Sequence, residues 1–303
     1  MPMYSHFMNN AFQYNPSWSG SDGYSEVSLT AREQWVGIPG APRYHSLGAH
    51  GQTKVFRTLL RKLGLNVKES QNRNVGIGGL LYQDKFGLLA RTGGQVAYAY
   101  HITLKKNQIS FGLALNAYQL KLNRDNALLV DDIEPALLSA AANSVFIPDA
   151  SFGVSIRNKN YFAGFSVNSI FQSALKAGDA SFPDYRLLRH YYLIGGLNIY
   201  KGDLTLKPSI LIKTTEQFNP KTDLQADISC IAYYKQRVWA GLTYRTNGEI
   251  ITLIGASVKS MHLGYAFDCP TNKIISNSFG SHEIFLSYRF GGIGRRYNTS
   301  NRY

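Results

Sequence analysis

Acidic side chains are scarce in this chain: 19 Asp and Glu stand against 32 Lys and Arg in 303 residues, a formal net charge of +13. Such a surplus suits anionic lipid or nucleic acid. No recognition helix, RNP-like strand or zinc spacing accompanies it, so nucleic acid is set aside as a partner. Cysteine is nearly missing. Cys230 and Cys269 have unlike surroundings, form no CxxC or metal spacing, and read as two small apolar side chains. No stretch approaches about 18 consecutive apolar residues, which excludes a helical membrane protein. Enzyme signatures are lacking as well. His101, His190, His262 and His282 are scattered without an HExxH, and Gly76, Gly78 and Gly79 lack the helix of a dinucleotide fingerprint. There is no GxSxG elbow or supported carboxylate pair, and Asp131-Asp132 reads as a solvated loop. The chain is therefore not expected to be an enzyme or to hold a metal or cofactor. The opening MPMYSHFMNNAFQYNPSWSG has neither a basic n-region nor an unbroken apolar h-region. Given the strand pattern that follows, a mature exported chain with its signal peptide already removed is expected.

Against these absences stand 20 Tyr, 16 Phe and 28 Gly. Aromatics favour strands and membrane interfaces, and glycine lets backbones approach closely. Runs of about 9–12 residues alternate apolar with small or polar side chains, the length and period of a strand crossing a membrane at a tilt. In QISFGLALNAYQL, Ile109, Phe111, Leu113 and Leu115 share one face, while Ser110, Gly112, Ala114 and Asn116 share the other. LTLKPSILIKTT and SHEIFLSYRF repeat the pattern, with Lys207, Lys213, Glu283 and Arg289 on the lumen side. Lipid accepts only the apolar face, and closure satisfies the ladder hydrogen bonds.

The strands are expected near Ser25–Trp35, Arg43–Gly51, Val75–Gln83, Gly94–Leu104, Gln108–Leu120, Ser151–Arg157 and Tyr161–Ile170. They continue near Leu188–Tyr200, Leu204–Thr214, Thr222–Tyr234, Val238–Thr246, Glu249–Lys259, Met261–Cys269 and His282–Phe290. The fold class is thus all-β: a closed antiparallel transmembrane β-barrel of about fourteen strands over residues 25–290. Residues 1–24 form an N-terminal segment, a plug or a periplasmic dock, and 291–303 a basic periplasmic tail. Connections at one end are short, such as Lys105-Lys106-Asn107, Lys201-Gly202-Asp203 and Lys259-Ser260. At the other end they are long, around 121–150, 171–187, 215–221 and 270–280, with Thr246-Asn247-Gly248 as the one tight turn. Short turns on the periplasmic side and long loops outside are the habit of outer-membrane barrels, so both termini are expected in the periplasm. The basic 52–74 segment is the long exception. Pro208 leaves a ladder position without an N–H; a bulge is the expected repair, with a strand break or a misplaced register as the alternative.

Four stretches then carry a resemblance: YSHFMNNAFQYNPSWSG, REQWVGIPGAPRYHSLGAHG, NVGIGGLLYQDKFG and GSHEIFLSYRF. Together they closely resemble the PorP/SprF family of type IX secretion outer-membrane proteins found in Bacteroidota, over about Tyr4 to Phe290. The resemblance implies a multi-pass outer-membrane protein that is an accessory component rather than the translocon channel. It implies partners of two kinds: large adhesin cargo or its C-terminal sorting domain, and periplasmic or lipoprotein components of the secretion or motility machinery. Some members support gliding motility. The alternative is a channel or transporter for small solutes.

Candidate positions follow. Trp35, Pro39 and Pro42, with Phe146 and Phe182 from the longest loops, are candidate cargo contacts; a self-packed lid is the competing role. Arg57, Arg61, Lys62, Arg295 and Arg296 put positive charge on the periplasmic rim, for a protein partner or outer-membrane lipid. Glu283 and Arg289 face the lumen, either lining a pore or, better, joining a charge network that fills a closed interior. Tyr14 to Gly20 either fix the entry to the first strand or hold a plug.

Overall fold

The computed structural model describes residues 4–53, 74–122, 144–171, 174–175, 185–186, 188–217, 224–271 and 276–291. Fourteen strands close into one antiparallel barrel. They are β1 (Ser25–Glu33), β2 (Arg43–Gln52), β3 (Val75–Phe86), β4 (Leu89–Leu104), β5 (Asn107–Leu122), β6 (Ser144–Arg157) and β7 (Tyr161–Asn168). Then follow β8 (His190–Leu197, continued by Ile199–Lys201), β9 (Leu204–Thr215), β10 (Gln225–Tyr234), β11 (Val238–Arg245), β12 (Glu249–Val258), β13 (Met261–Pro270) and β14 (Ser281–Phe290). Each strand pairs with its neighbours in sequence, and β1 closes on β14 from Ser25 opposite Phe290 to Glu33 opposite His282. Among the described residues each of the fourteen barrel strands is paired on both sides, as a membrane interior requires.

The alternation seen in the sequence sets the two faces. Leu29, Leu81, Leu113, Leu193, Leu242 and Ile284, taken from strands around the whole barrel, are exposed. An apolar girdle of this extent belongs in lipid rather than water. The residues between them are buried and mostly polar: Ser28, Ser110, Ser155, Ser166, Thr243 and Ser287 all turn inward. The molecule is therefore apolar outside and polar within.

Three local expectations need correction. Strand β4 begins at Leu89, not Gly94, and meets β3 through a tight turn at Gly87 and Leu88. Gly87 takes φ +58°, which a glycine adopts without strain, so the long-loop end has this second tight turn besides that before β12. Strand β6 begins at Ser144, so Phe146 lies on a strand opposite Gln119 and not in a loop. Its side chain continues the outward phase and is 69% exposed. Finally, Pro208 makes no bulge. It stays in register opposite Cys230, and the ladder between β8 and β9 keeps one register from Gly196–Ser209 to Ile199–Leu206. The partner strand is interrupted at Asn198, whose N–H donates to Asn160 O at 2.7 Å and so continues the ladder with β7, in the register that sets Leu197 opposite Tyr161. The N–H missing at Pro208 thus interrupts the neighbouring strand locally without shifting the register.

One end carries brief turns at 105–106, 158–160, 202–203, 235–237 and 259–260. Lys235 and Gln236 both have positive φ, 49° and 57°, the handedness that matches strand twist in a tight hairpin. The opposite end carries the long connections. There the β1–β2 loop leans on the β13–β14 loop, through Val36 N to Gly280 O at 2.9 Å and Phe279 N to Val36 O at 2.8 Å.

Candidate functional site: the filled barrel interior

Residues 4–21 lie inside the barrel, as a short helix α1 (Ala11–Tyr14) followed by a 3₁₀ turn at Pro16–Trp18. Asn15 organises the junction. Its Oδ1 accepts from Ser17 N at 2.9 Å, and its Nδ2 donates to Val154 O and Phe165 O at 3.2 and 3.1 Å. The cap and the tie to β6 and β7 therefore share one side chain. Ser17 Oγ donates to Ser155 Oγ at 2.8 Å, and Ser166 Oγ donates to Tyr14 O at 2.8 Å. His101, between Ser110 Oγ and Ser19 O, ties the segment to β4 and β5 at 2.8 and 2.9 Å. Tyr4, Phe7, Phe12, Tyr14 and Trp18 pack with Tyr44, Leu80, Phe162 and Tyr192 from the walls.

The wall makes room for this segment with inward glycines. A Cβ at Gly78 would stand 2.6 Å from the Phe12 ring, and one at Gly264 would stand 2.7 Å from His6 Nε2. At Gly76, Gly112 and Gly153 it would run into Ser19 O, Ser17 N and Asn15 Oδ1 respectively. Side chains at these positions and the observed course of residues 4–21 are mutually exclusive.

The far side of the interior is ionic. Arg245 reaches Asp227 at 3.0 Å, Asp268 at 3.4 Å and Glu249. Arg32 reaches Asp268 at 2.7 Å and Glu283 at 3.3 Å, and Lys213 reaches Asp227 at 2.9 Å. Three cations thus face four carboxylates, all buried. The N-terminal segment supplies further donors: Ser5 N and His6 N bond Glu283 at 2.7 and 3.0 Å, and Ser5 Oγ bonds Asp268 at 2.7 Å. Buried carboxylates need such donors because a charge away from water is costly unless paired and hydrogen-bonded.

Arg289 does not join that cluster. It lies nearer the short-turn end and pairs with Glu26 and with His262 Nε2 at 2.9 Å, so Glu283 and Arg289 belong to two separate groups. Between the N-terminal segment and β1, Asp22 is tied to Arg157 at 2.5 Å. Burial pushes its carboxyl up, but the Arg157 charge and hydrogen bond outweigh this and hold it below the usual carboxylate range.

Of the long-loop candidates, Trp35 is half-buried with φ 45°, and its N–H donates to Ser281 Oγ at 3.2 Å. Pro39 is exposed and Pro42 is half-buried. Phe146 stands apart from them on the outward face of β6. Phe182 and the basic Arg57, Arg61, Lys62, Arg295 and Arg296 lie outside the described residues. Sequence reasoning missed Arg32, Asp227, Arg245, Glu249 and Asp268. The available signal was their phase: each falls on the lumen side of a strand whose alternate residues are apolar.

Residues 1–288 match the family described as type IX secretion system membrane protein PorP/SprF. The chain belongs to the PorP/SprF family. As a PorP/SprF protein it is a non-enzymatic outer-membrane accessory component of the type IX secretion system. Among the described residues no group of His, Cys, Asp and Glu has the arrangement of a metal site. No curated protein matches the chain. Solved structures similar to it are barrels. The Ralstonia pickettii toluene transporter TbuX has a TM-score of 0.49 at 11% identity, over 92% of this chain and 92% of that one. BamA from Haemophilus ducreyi lacking POTRA domains 1–3 has 0.40 at 6% identity, over 88% and 70%. The KdgM porin has 0.37 at 9% identity, over 88% and 99%. At such distances the likeness to transporters and porins says nothing about what this PorP/SprF barrel passes or holds.

Proposed function

We propose that this protein is a closed support in the outer membrane, on which large adhesin-type cargo of the type IX system is secreted or attached, with a part in gliding motility. The observation that carries the reading is the seat of residues 4–21, bonded to strands on opposite walls of the lumen. A lumen occupied in this way suits a fixed support better than a solute channel. In this reading residues 4–21 are a plug and 25–290 the barrel. The long-loop end faces outward and both termini are periplasmic, which the segregation of loop lengths supports. Cargo, through its C-terminal sorting domain, meets Trp35, Pro39 and Pro42, with Phe182 from a second long loop. Periplasmic or lipoprotein components of the machinery meet the other rim, where Arg57, Arg61, Lys62, Arg295 and Arg296 supply positive charge.

Deleting the gene is expected to remove adhesin from the cell surface while solute uptake stays intact. Lost uptake with undisturbed adhesin display would instead favour the small-solute channel. For the orientation, a cysteine at Pro39 should be labelled by an impermeant maleimide on intact cells, and one at Lys106 or Lys201 should not. The opposite pattern would invert the barrel.

A further inference from the structure

Beneath residues 4–21 the interior is not filled. A cavity of about 1000 Å³ opens at the short-turn end. Its charges do not balance. Asp22 pairs with Arg157 at 2.5 Å, Glu26 with Arg289 at 2.5 Å, and Asp203 with Lys235 at 3.5 Å. These use up every carboxylate on the lining, and three lining cations remain without one among the described residues: Lys159, Lys207 and Arg237. Lys207 projects inward from β9, half-buried, with its Nζ 5.1 Å above the Phe162 ring. Lys159 Nζ sits 5.4 Å above Tyr200. The rings face these ammonium groups but carry no net charge to neutralise them. Trp18 and Trp239, both largely buried, also line the cavity.

We propose that this vestibule is a docking site for a short acidic segment of a partner protein, with carboxylates meeting Lys159, Lys207 and Arg237 and apolar side chains meeting the rings. Two other occupants fit less well. The stretches of this chain that leave the same end are themselves basic, 54–73 with six Lys and Arg against one Glu, and 292–303 with three Arg and no acid. Their like charge makes them poor candidates for the occupant. A lipid headgroup would have to enter the lumen while its acyl chains stay on the far side of the barrel wall. The inference rests on the orientation proposed above only for where the partner resides, the periplasm; binding itself does not depend on it.

The test uses the full chain purified in neutral detergent and a fluorescent peptide alternating Glu with Phe, followed by polarisation. Saturable binding that weakens with added salt is expected, with no binding of the same peptide carrying Lys for Glu. The triple variant Lys159→Glu, Lys207→Glu, Arg237→Glu should bind at least about tenfold more weakly. Should Lys207→Glu disturb folding, the variant with Gln at all three positions should still show a clear loss while keeping the native heat-modifiable migration. Failure of the native protein to bind the peptide, or binding by both triple variants as tight as that of the native protein, would overturn the proposal. So would binding only of detergent micelles doped with anionic lipid. A reversed orientation in the labelling experiment would leave these binding results standing, so the two claims fail separately.

Discussion

Arg245 is the residue on which the interior depends most. It is fully buried and serves Asp227, Glu249 and Asp268 together. Removing one partner of a buried ionic group leaves uncompensated charge, which costs about 3–5 kcal/mol. Arg245→Met should therefore lower barrel stability by about that amount, read from urea unfolding in lipid by tryptophan fluorescence. Arg43→Ala is the contrast. Its pairing with Glu33 is 3.9 Å long and open to solvent, so a change below about 1 kcal/mol is expected. A comparable effect from both would mean that burial does not govern these pairs. The glycines offer a second residue-scale test. Gly112→Val puts a side chain where Ser17 N lies, whereas Gly79 has only Gln95 O within reach, at 3.8 Å from its would-be Cβ. Overpacking of this kind costs about 1–3 kcal/mol, and it should appear as protease access to residues 4–21 in Gly112→Val but not in Gly79→Ala. Inward glycines were visible in the sequence as members of the polar face. That they bed a segment from 57 (Gly76 and Ser19) to 258 (Gly264 and His6) residues away was not, because period-2 alternation says which way a side chain points and nothing about what it meets.

At the scale of elements, the N-terminal segment and the barrel stabilise each other. Asn15→Ala removes two bonds to the wall and the cap on Ser17, with buried carbonyls left behind. A loss of about 1–3 kcal/mol from seating of the segment is expected, measured as faster amide exchange over residues 4–21. Asp22 adds a pH dependence. Its folded pKa is depressed, so its contribution is complete above its ordinary value and disappears as pH falls through the lower folded value. Exchange of this segment should stay slow at pH 4 and rise below it, and Asp22→Asn should show the faster rate already at pH 7. If native and variant proteins exchange alike at pH 7, the Asp22–Arg157 tie contributes nothing to the seat. Strand positions were largely legible, since each apolar face is exposed to lipid and alternates strictly. Strand ends were not. Residues 84–94 hold Gly87, Gly93 and Gly94 and mask the β3–β4 turn, while Asp149 and Pro148 made the start of β6 read as loop. Pro208 was legible as a defect; of the two repairs, bulge or break, the structure has a local break in the neighbouring strand at Asn198 and no bulge.

For the whole molecule, the sequence disclosed a barrel and a family but not the state of its lumen. Closure follows from pairing of adjacent strands and needs only local information plus the requirement that no edge face lipid. The contents of the lumen depend on contacts between residues near the N-terminus and strands as distant as Glu283, which no local pattern encodes. The functional reading turns on that content. Planar-bilayer recording is the direct test. The full chain should give no steady conductance, and a variant lacking residues 4–21 that still closes β1 on β14 should open a stable ionic current. A steady open channel from the full chain, unchanged when residues 4–21 are removed, would contradict the view that this barrel is a plugged support rather than a pore.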